Sequence, residues 1–161
     1  MLCGIVDFYS DKSSADRLFS MGACLKNSLP YAAAYVWGGV SLLYRSADDT
    51  FRYPLTKKID GKFYTVMIDG SCQFDFIKNF AKDGESALSC LEEKLTIVLY
   101  SPEDSTVYIH RSKGGSPVFF AENGRLVFTT AKESLVAAQH SFSLLREDTL
   151  LVYDRQGLLI K

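Results

Sequence analysis

Met1-Leu2-Cys3-Gly4-Ile5-Val6, at the head of a 161-residue chain, puts a cysteine third from the amino terminus at the start of an apolar run. The run reads as a buried strand continuing from Cys3 to Phe8. A cysteine so placed invites a particular chemistry, because the free α-amine of a terminal residue can act as the base for that residue's own nucleophile. The amine titrates near pH ~8 and a thiol near pH ~8.5, so both are usable close to neutrality. The device requires the nucleophile to be residue one, and here Met1 and Leu2 precede it. Leu2 is too large for the pocket of methionine aminopeptidase, so Met1 is expected to stay. This is a catalytic start that has not been exposed.

The remaining composition describes one soluble domain over residues 1–161. A chain of this length buries roughly 70% of its unfolded surface and needs no staples. A hydrophobic content of 47% and a formal net charge of -1 argue against disorder and against a nucleic-acid footprint. Basic residues do not cluster beyond adjacent pairs such as Lys57-Lys58. Asp7, Asp11, Lys12 and Asp16 break the opening before it could serve as a signal peptide, and no apolar run approaches membrane-spanning length. The expected location is the cytoplasm, with no membrane partner. Cys3, Cys24, Cys72 and Cys90 are too scattered for a metal site, and no disulfide framework is expected in that compartment.

Periodicity and turn residues predict mixed α and β structure. Asp11 or Ser13 can cap a helix through about Leu25, with Leu18, Met21 and Leu25 on its apolar face. Asn27 to Ala33 reads as a loop around Pro30. Strands are predicted near 36–45, 50–55 and 62–69, and short helices over about 73–92. Hairpins are expected at 96–111 around Pro102-Glu103-Asp104-Ser105, at 117–129 around Glu122-Asn123-Gly124, and at 149–160 around Arg155-Gln156-Gly157. A helix at 131–138 lies between the last two. Many apolar strands with helices in separate groups indicate an α+β fold of two stacked antiparallel sheets with helices outside.

Several of these segments carry a resemblance. Cys3-Gly4-Ile5-Val6 resembles the start of the class II glutamine amidotransferases, amino-terminal nucleophile hydrolases that feed ammonia to asparagine synthetase and its relatives. Val40-Ser41-Leu42-Leu43-Tyr44-Arg45 resembles the family strand ending in a histidine-x-arginine signature. Thr65-Val66-Met67-Ile68-Asp69-Gly70 resembles the strand running into the family's asparagine-glycine-glutamate turn. Leu95–Tyr100, Val107–Phe120 and Leu126–Thr130 resemble the later strands in order. The resemblance covers essentially the whole chain, and it implies the four-layer αββα sandwich, L-glutamine as substrate of an active member, and no cofactor or metal.

Residue by residue, the resemblance implies an incomplete site. Cys3 stands at the nucleophile position, but its nitrogen is an amide and cannot take up a proton. Gly70 matches the oxyanion-hole glycine, whereas Asp69 replaces the asparagine. A carboxylate has no N–H to donate, and loss of one such donor costs roughly 3–4 kcal/mol in a known hydrolase. Ser71 replaces the family glutamate after the glycine. Arg45 matches the arginine that grips the substrate carboxylate. The arginine-glycine-proline-aspartate stretch has no counterpart between Asn27 and Gly38. Asp83 or Glu85 is a loose stand-in for the acid that binds the substrate amine, and Ser112, after His110-Arg111, stands where the family has aspartate. His110 and His140 are isolated.

These readings lead to a stand-alone class II amidotransferase-like domain, degenerate as a glutaminase. It is expected to be a structural or regulatory subunit for a separate asparagine-synthetase-like partner, since no synthetase domain follows Lys161. An active enzyme matured by removal of Met1-Leu2, and a self-associating sandwich domain, are the other two readings. Tyr31 to Tyr35, without any charge, is expected to be an exposed loop in a protein interface, with such a partner or in a homo-oligomer.

Overall fold

In the computed structural model the chain is described over residues 1–10, 14–49, 52–70, 75–91, 94–137 and 141–161. It divides into two compact units, one of Met1–Pro54 with Pro117–Leu144 and one of Leu55–Ser116 with Leu145–Lys161. Each is built on a six-stranded antiparallel sheet.

The first unit grows outward from the opening stretch. Leu2–Val6 forms β1, every residue of it buried, and it lies inside its sheet because both of its edges are paired. Cys3 stands opposite Leu43 of β3 (Val40–Ser46) on one side and Thr129 of β9 (Leu126–Thr129) on the other. The neighbours of this trio are β2 (Tyr31–Trp37) beyond β3, and β8 (Val118–Glu122) and β10 (Ser143–Leu145) beyond β9. Side chains alternate across a strand, so Cys3 and Ile5 share one face of the sheet. Helices α1 (Ala15–Ala23) and α4 (Lys132–Ala137) cover that face, sealing Cys3, Ile5, Leu43 and Val127 beneath Leu18, Met21 and Leu135.

In the second unit the strand order is β12 (Gly157–Ile160), β11 (Thr149–Asp154), β7 (Thr106–Arg111), β6 (Thr96–Ser101), β5 (Lys62–Asp69) and β4 (Leu55–Ile59). Helices α2 (Phe76–Asp83) and α3 (Ser86–Ser89) accompany it. Phe80 of α2 anchors the helix, its ring 5.1 Å from that of Tyr108 on β7 and 6.1 Å from that of Tyr64 on β5. Such edge-on aromatic pairs add about 0.5–1.5 kcal/mol to the area they bury. Two antiparallel sheets, each with its own helices, give the α+β fold class expected for αββα proteins.

The local turn signals locate most elements. β5, the β6–β7 and β11–β12 hairpins and the β8–β9 hairpin all fall where their turn residues put them. Three segments differ. Tyr31–Ala33, read as loop, begins β2; the predicted strand at 36–45 is instead the end of β2, a turn at Gly38-Gly39, and β3. That turn needs positive φ at both residues (56° and 80°), and a Cβ on Gly39 would lie 2.2 Å from the Asp7 carbonyl oxygen. The strand expected at 50–55 is β4 at Leu55–Ile59, where Lys57 and Lys58 disguise a sheet edge; Thr50 and Phe51 lie outside the described residues. β10 was not anticipated, being three residues long. Ser14 precedes α1 without a side-chain cap bond, and the expected caps Asp11 and Ser13 lie outside the described residues. No helix among the described residues is long and apolar enough to cross a membrane.

Candidate functional site

Cys3 and Arg45 belong to the first unit, Asp69 and Gly70 to the second, and Ser71 lies outside the described residues. The Cys3 thiol is fully buried. Burial among apolar side chains pushes its pKa up to about 12, against the weaker pull of the Met1 ammonium; Cys24 nearby raises it further and Arg45 lowers it. A thiol so placed holds about a thousandfold less thiolate than an unperturbed one, and the thiolate is the nucleophile.

The nitrogen of Cys3 is equally committed. Met1 and Leu2 continue β1 in register rather than hanging free. The Met1 ammonium donates to the Arg45 carbonyl at 2.9 Å, and the Arg45 N–H returns a bond of 2.9 Å to the Met1 carbonyl. The Leu2 N–H donates to Thr130 Oγ1 at 3.0 Å, and the Thr130 N–H donates to the Leu2 carbonyl at 2.9 Å. The Leu2 side chain has no exposed surface. This clamp, with Thr130 as its outer post, was not legible from the chain order, because its partners lie 44 and 128 residues away.

Arg45 is only 7% exposed and lies on the Cys3 face of the sheet, two residues beyond Leu43. One guanidinium nitrogen donates to the Leu29 carbonyl at 2.8 Å, while Nε is buried with no hydrogen-bond partner. This bond ties the segment after α1 to β3. It is a structural use of a cation that the resemblance assigns to a substrate carboxylate.

Asp69 ends β5 opposite Thr96, half-buried, and Gly70 turns the chain with φ 127°. A Cβ on Gly70 would lie 2.8 Å from Leu95 Cβ and 2.9 Å from the Lys94 carbonyl oxygen, so the glycine is required by the turn itself. Ser112 is a buried staple. Its hydroxyl accepts from the Leu95 N–H at 2.8 Å and donates to the Leu95 carbonyl at 3.0 Å. Arg111 braces the same loop through the Gly115 and Leu145 carbonyls. Glu85 is engaged by Lys161 at 2.6 Å, and Asp83 is exposed at the end of α2. Among the described residues no group of three His, Cys, Asp or Glu side chains is placed to hold a metal ion.

His110 lines a cavity of about 360 Å³ with Glu85, Asp148 and Lys161, while His140 lies outside the described residues. Its Nδ1 is buried without a partner. Burial lowers its pKa, opposed more weakly by the Thr149 backbone and by Asp148. The unfolded chain therefore binds the proton more readily than the folded one. The stabilisation is complete above roughly pH 6.5 and is lost as the pH falls from there through the folded-state value. We expect the urea midpoint of the wild type to drop more than that of His110→Gln between about pH 7.5 and about pH 5.5. Equal drops in the two proteins would show that His110 does not titrate on unfolding.

The fold assembled from these parts is that of the class II glutamine amidotransferase domains. It is similar over 99% of this chain to a glutamine phosphoribosylpyrophosphate amidotransferase from B. subtilis complexed with ADP and GMP, at 10% identity and a TM-score of 0.79. A structure described as the allosteric regulatory enzyme of purine biosynthesis matches the same share, at 10% identity and a TM-score of 0.65. This chain spans 48% and 42% of those two proteins. A glutamine aminotransferase class-II domain protein from Silicibacter pomeroyi matches 99% of this chain and is covered over 90% of its own length, at 10% identity and a TM-score of 0.52. By sequence, no family model and no curated protein matches the chain. The likeness is one of fold.

Proposed function

We propose that this is a class II glutamine amidotransferase-like domain that does not hydrolyse glutamine, and that it acts as a structural or regulatory subunit for a separate asparagine-synthetase-like polypeptide. The observation that carries the reading is Cys3 itself. Its thiol is sealed under α1 and α4, and its nitrogen is an amide inside a strand that Leu2 completes. Neither a reactive thiolate nor a free α-amine is available at Cys3, and the residue that the resemblance aligns with the oxyanion asparagine is Asp69, whose side chain has no N–H to donate. The Arg45 bond to Leu29 supports the same reading, since that guanidinium already serves the scaffold.

Such a subunit would leave its partner to use ammonia from solution. In an amide-forming assay of the synthetase-like partner with this chain, ammonium is expected to support product formation and glutamine is not. Omitting the chain should lower the ammonium-dependent rate or the partner's stability. Glutamine-dependent amide formation that Cys3→Ala abolishes would sink the proposal, as would a partner indifferent to the chain.

A further inference from the structure

We infer that β2 is a self-association edge, on which two copies of this chain pair β2 against β2, antiparallel, about a two-fold axis at Ala34. Among the described residues β2 pairs with β3 alone and closes its sheet at that side. Its seven residues, Tyr-Ala-Ala-Ala-Tyr-Val-Trp, contain no charge and no proline. Natural sheet edges are ordinarily blunted by charge, proline or a bulge. The opposite case stands in the same molecule, where the edge strand β4 carries Lys57 and Lys58. On β2 the exposure is large for apolar side chains: Tyr31 43%, Val36 43% and Trp37 66%.

The hydrogen-bond phase of the edge selects the register. Met1 and Arg45 exchange both of their backbone bonds, so Arg45 points its N–H and C=O toward β1. Asp7 donating to the Gly39 carbonyl sets the same phase at the other end of β3. Val40, Leu42, Tyr44 and Ser46 therefore turn toward β2, where they meet Trp37, Tyr35, Ala33 and Tyr31. That leaves the N–H and C=O groups of Ala32, Ala34 and Val36 directed outward.

An isologous antiparallel pair must match outward residues with outward residues. Placing Ala34 opposite its own copy matches Ala32 with Val36 and uses the whole strand, for about six backbone bonds. The two neighbouring registers run off the strand: one centred on Ala33 sets Val36 against Pro30, which has no N–H to give, and one centred on Tyr35 sets Ala32 against Gly38 in the turn. In the Ala34 register Tyr31 stands opposite Trp37, and Ala33 opposite Tyr35, twice each by symmetry. Ala33 thus leaves room for Tyr35, Tyr31 meets Trp37 as an aromatic cross-strand pair, and the aromatic side chains of both copies gather on one face. A second copy fits this edge because the strand is complementary to itself.

Ala34 is exposed, so a charge there leaves the fold intact and sets like charges against each other across the axis. Sedimentation or light scattering over roughly 1–100 µM protein should find a wild-type dimer. Ala34→Lys and Ala34→Glu should each be monomeric, with unchanged circular dichroism and at least about tenfold weaker association. An equimolar mixture of the two variants should dimerise again. A wild type that is monomeric throughout overturns the inference, as does a dimer that either charge leaves intact, or a mixture that stays monomeric.

Discussion

Purified protein beginning at Met1 is expected to release no ammonia from glutamine above the level of its Cys3→Ala variant. Two independent deficits set the size of the effect. General-base assistance contributes about 10²–10⁴-fold in enzymes that have it, and an amide nitrogen at Cys3 supplies none. A thiol raised to about 12 contributes about a thousandfold less thiolate than an ordinary one. The same burial predicts an ordered alkylation pattern. Iodoacetamide should label the exposed Cys24 and Cys90 in the folded protein, while Cys3 should react at least about a thousandfold more slowly than in denaturant. Peptide mass spectrometry after timed quenching reads both rates. Cys3 labelling as fast as that of Cys24, or ammonia release that Cys3→Ala removes, would show the thiol to be open and active.

Deleting Met1-Leu2 should cost about 3–5 kcal/mol of stability, a large part of the 5–15 kcal/mol that holds a domain of this kind together. Loss of a fully buried leucine in a partly relaxed site accounts for about 2–5 kcal/mol. The bonds from Arg45 to Met1 and between Leu2 and Thr130 go with it, and a new ammonium appears at Cys3, inside the sheet. The thermal midpoint should fall by roughly 10 °C. Leu2→Ala separates the contributions, since it removes the side chain yet keeps Cys3 as an amide. It should account for most of the loss. A deletion variant with the wild-type urea midpoint would mean that Met1-Leu2 is dispensable, and would favour an enzyme matured by their removal.

Legibility along the chain follows the range of the forces involved. The β6–β7, β8–β9 and β11–β12 hairpins could be read because each carries its turn chemistry between two apolar runs. The β2–β3 hairpin was misplaced although Gly38-Gly39 marks it. Tyr31–Trp37 is apolar on both faces and shows no period of two, so its first half read as a loop around Pro30. β4 hid for the opposite reason: only a half-buried stripe of Leu55, Lys57 and Ile59 alternates with exposed Thr56 and Lys58.

For the candidate site, the residue types were legible and their environments were not. That the Asp69 side chain has no N–H and that Met1-Leu2 precede Cys3 are covalent facts, decided by the order of residues alone. So is the alternation that puts Cys3 and Ile5 on one face of β1. What lies over that face was decided only in three dimensions. Leu18, Met21 and Leu135 come from two helices at opposite ends of the chain, and their packing strips water from the thiol and raises its pKa. Arg45 bonding to Leu29, and Leu2 clamped to Thr130, depend equally on strands brought together from far apart. Desolvation and long-range hydrogen bonding have no counterpart in sequence spacing, because both arise from what the folded chain places beside a group.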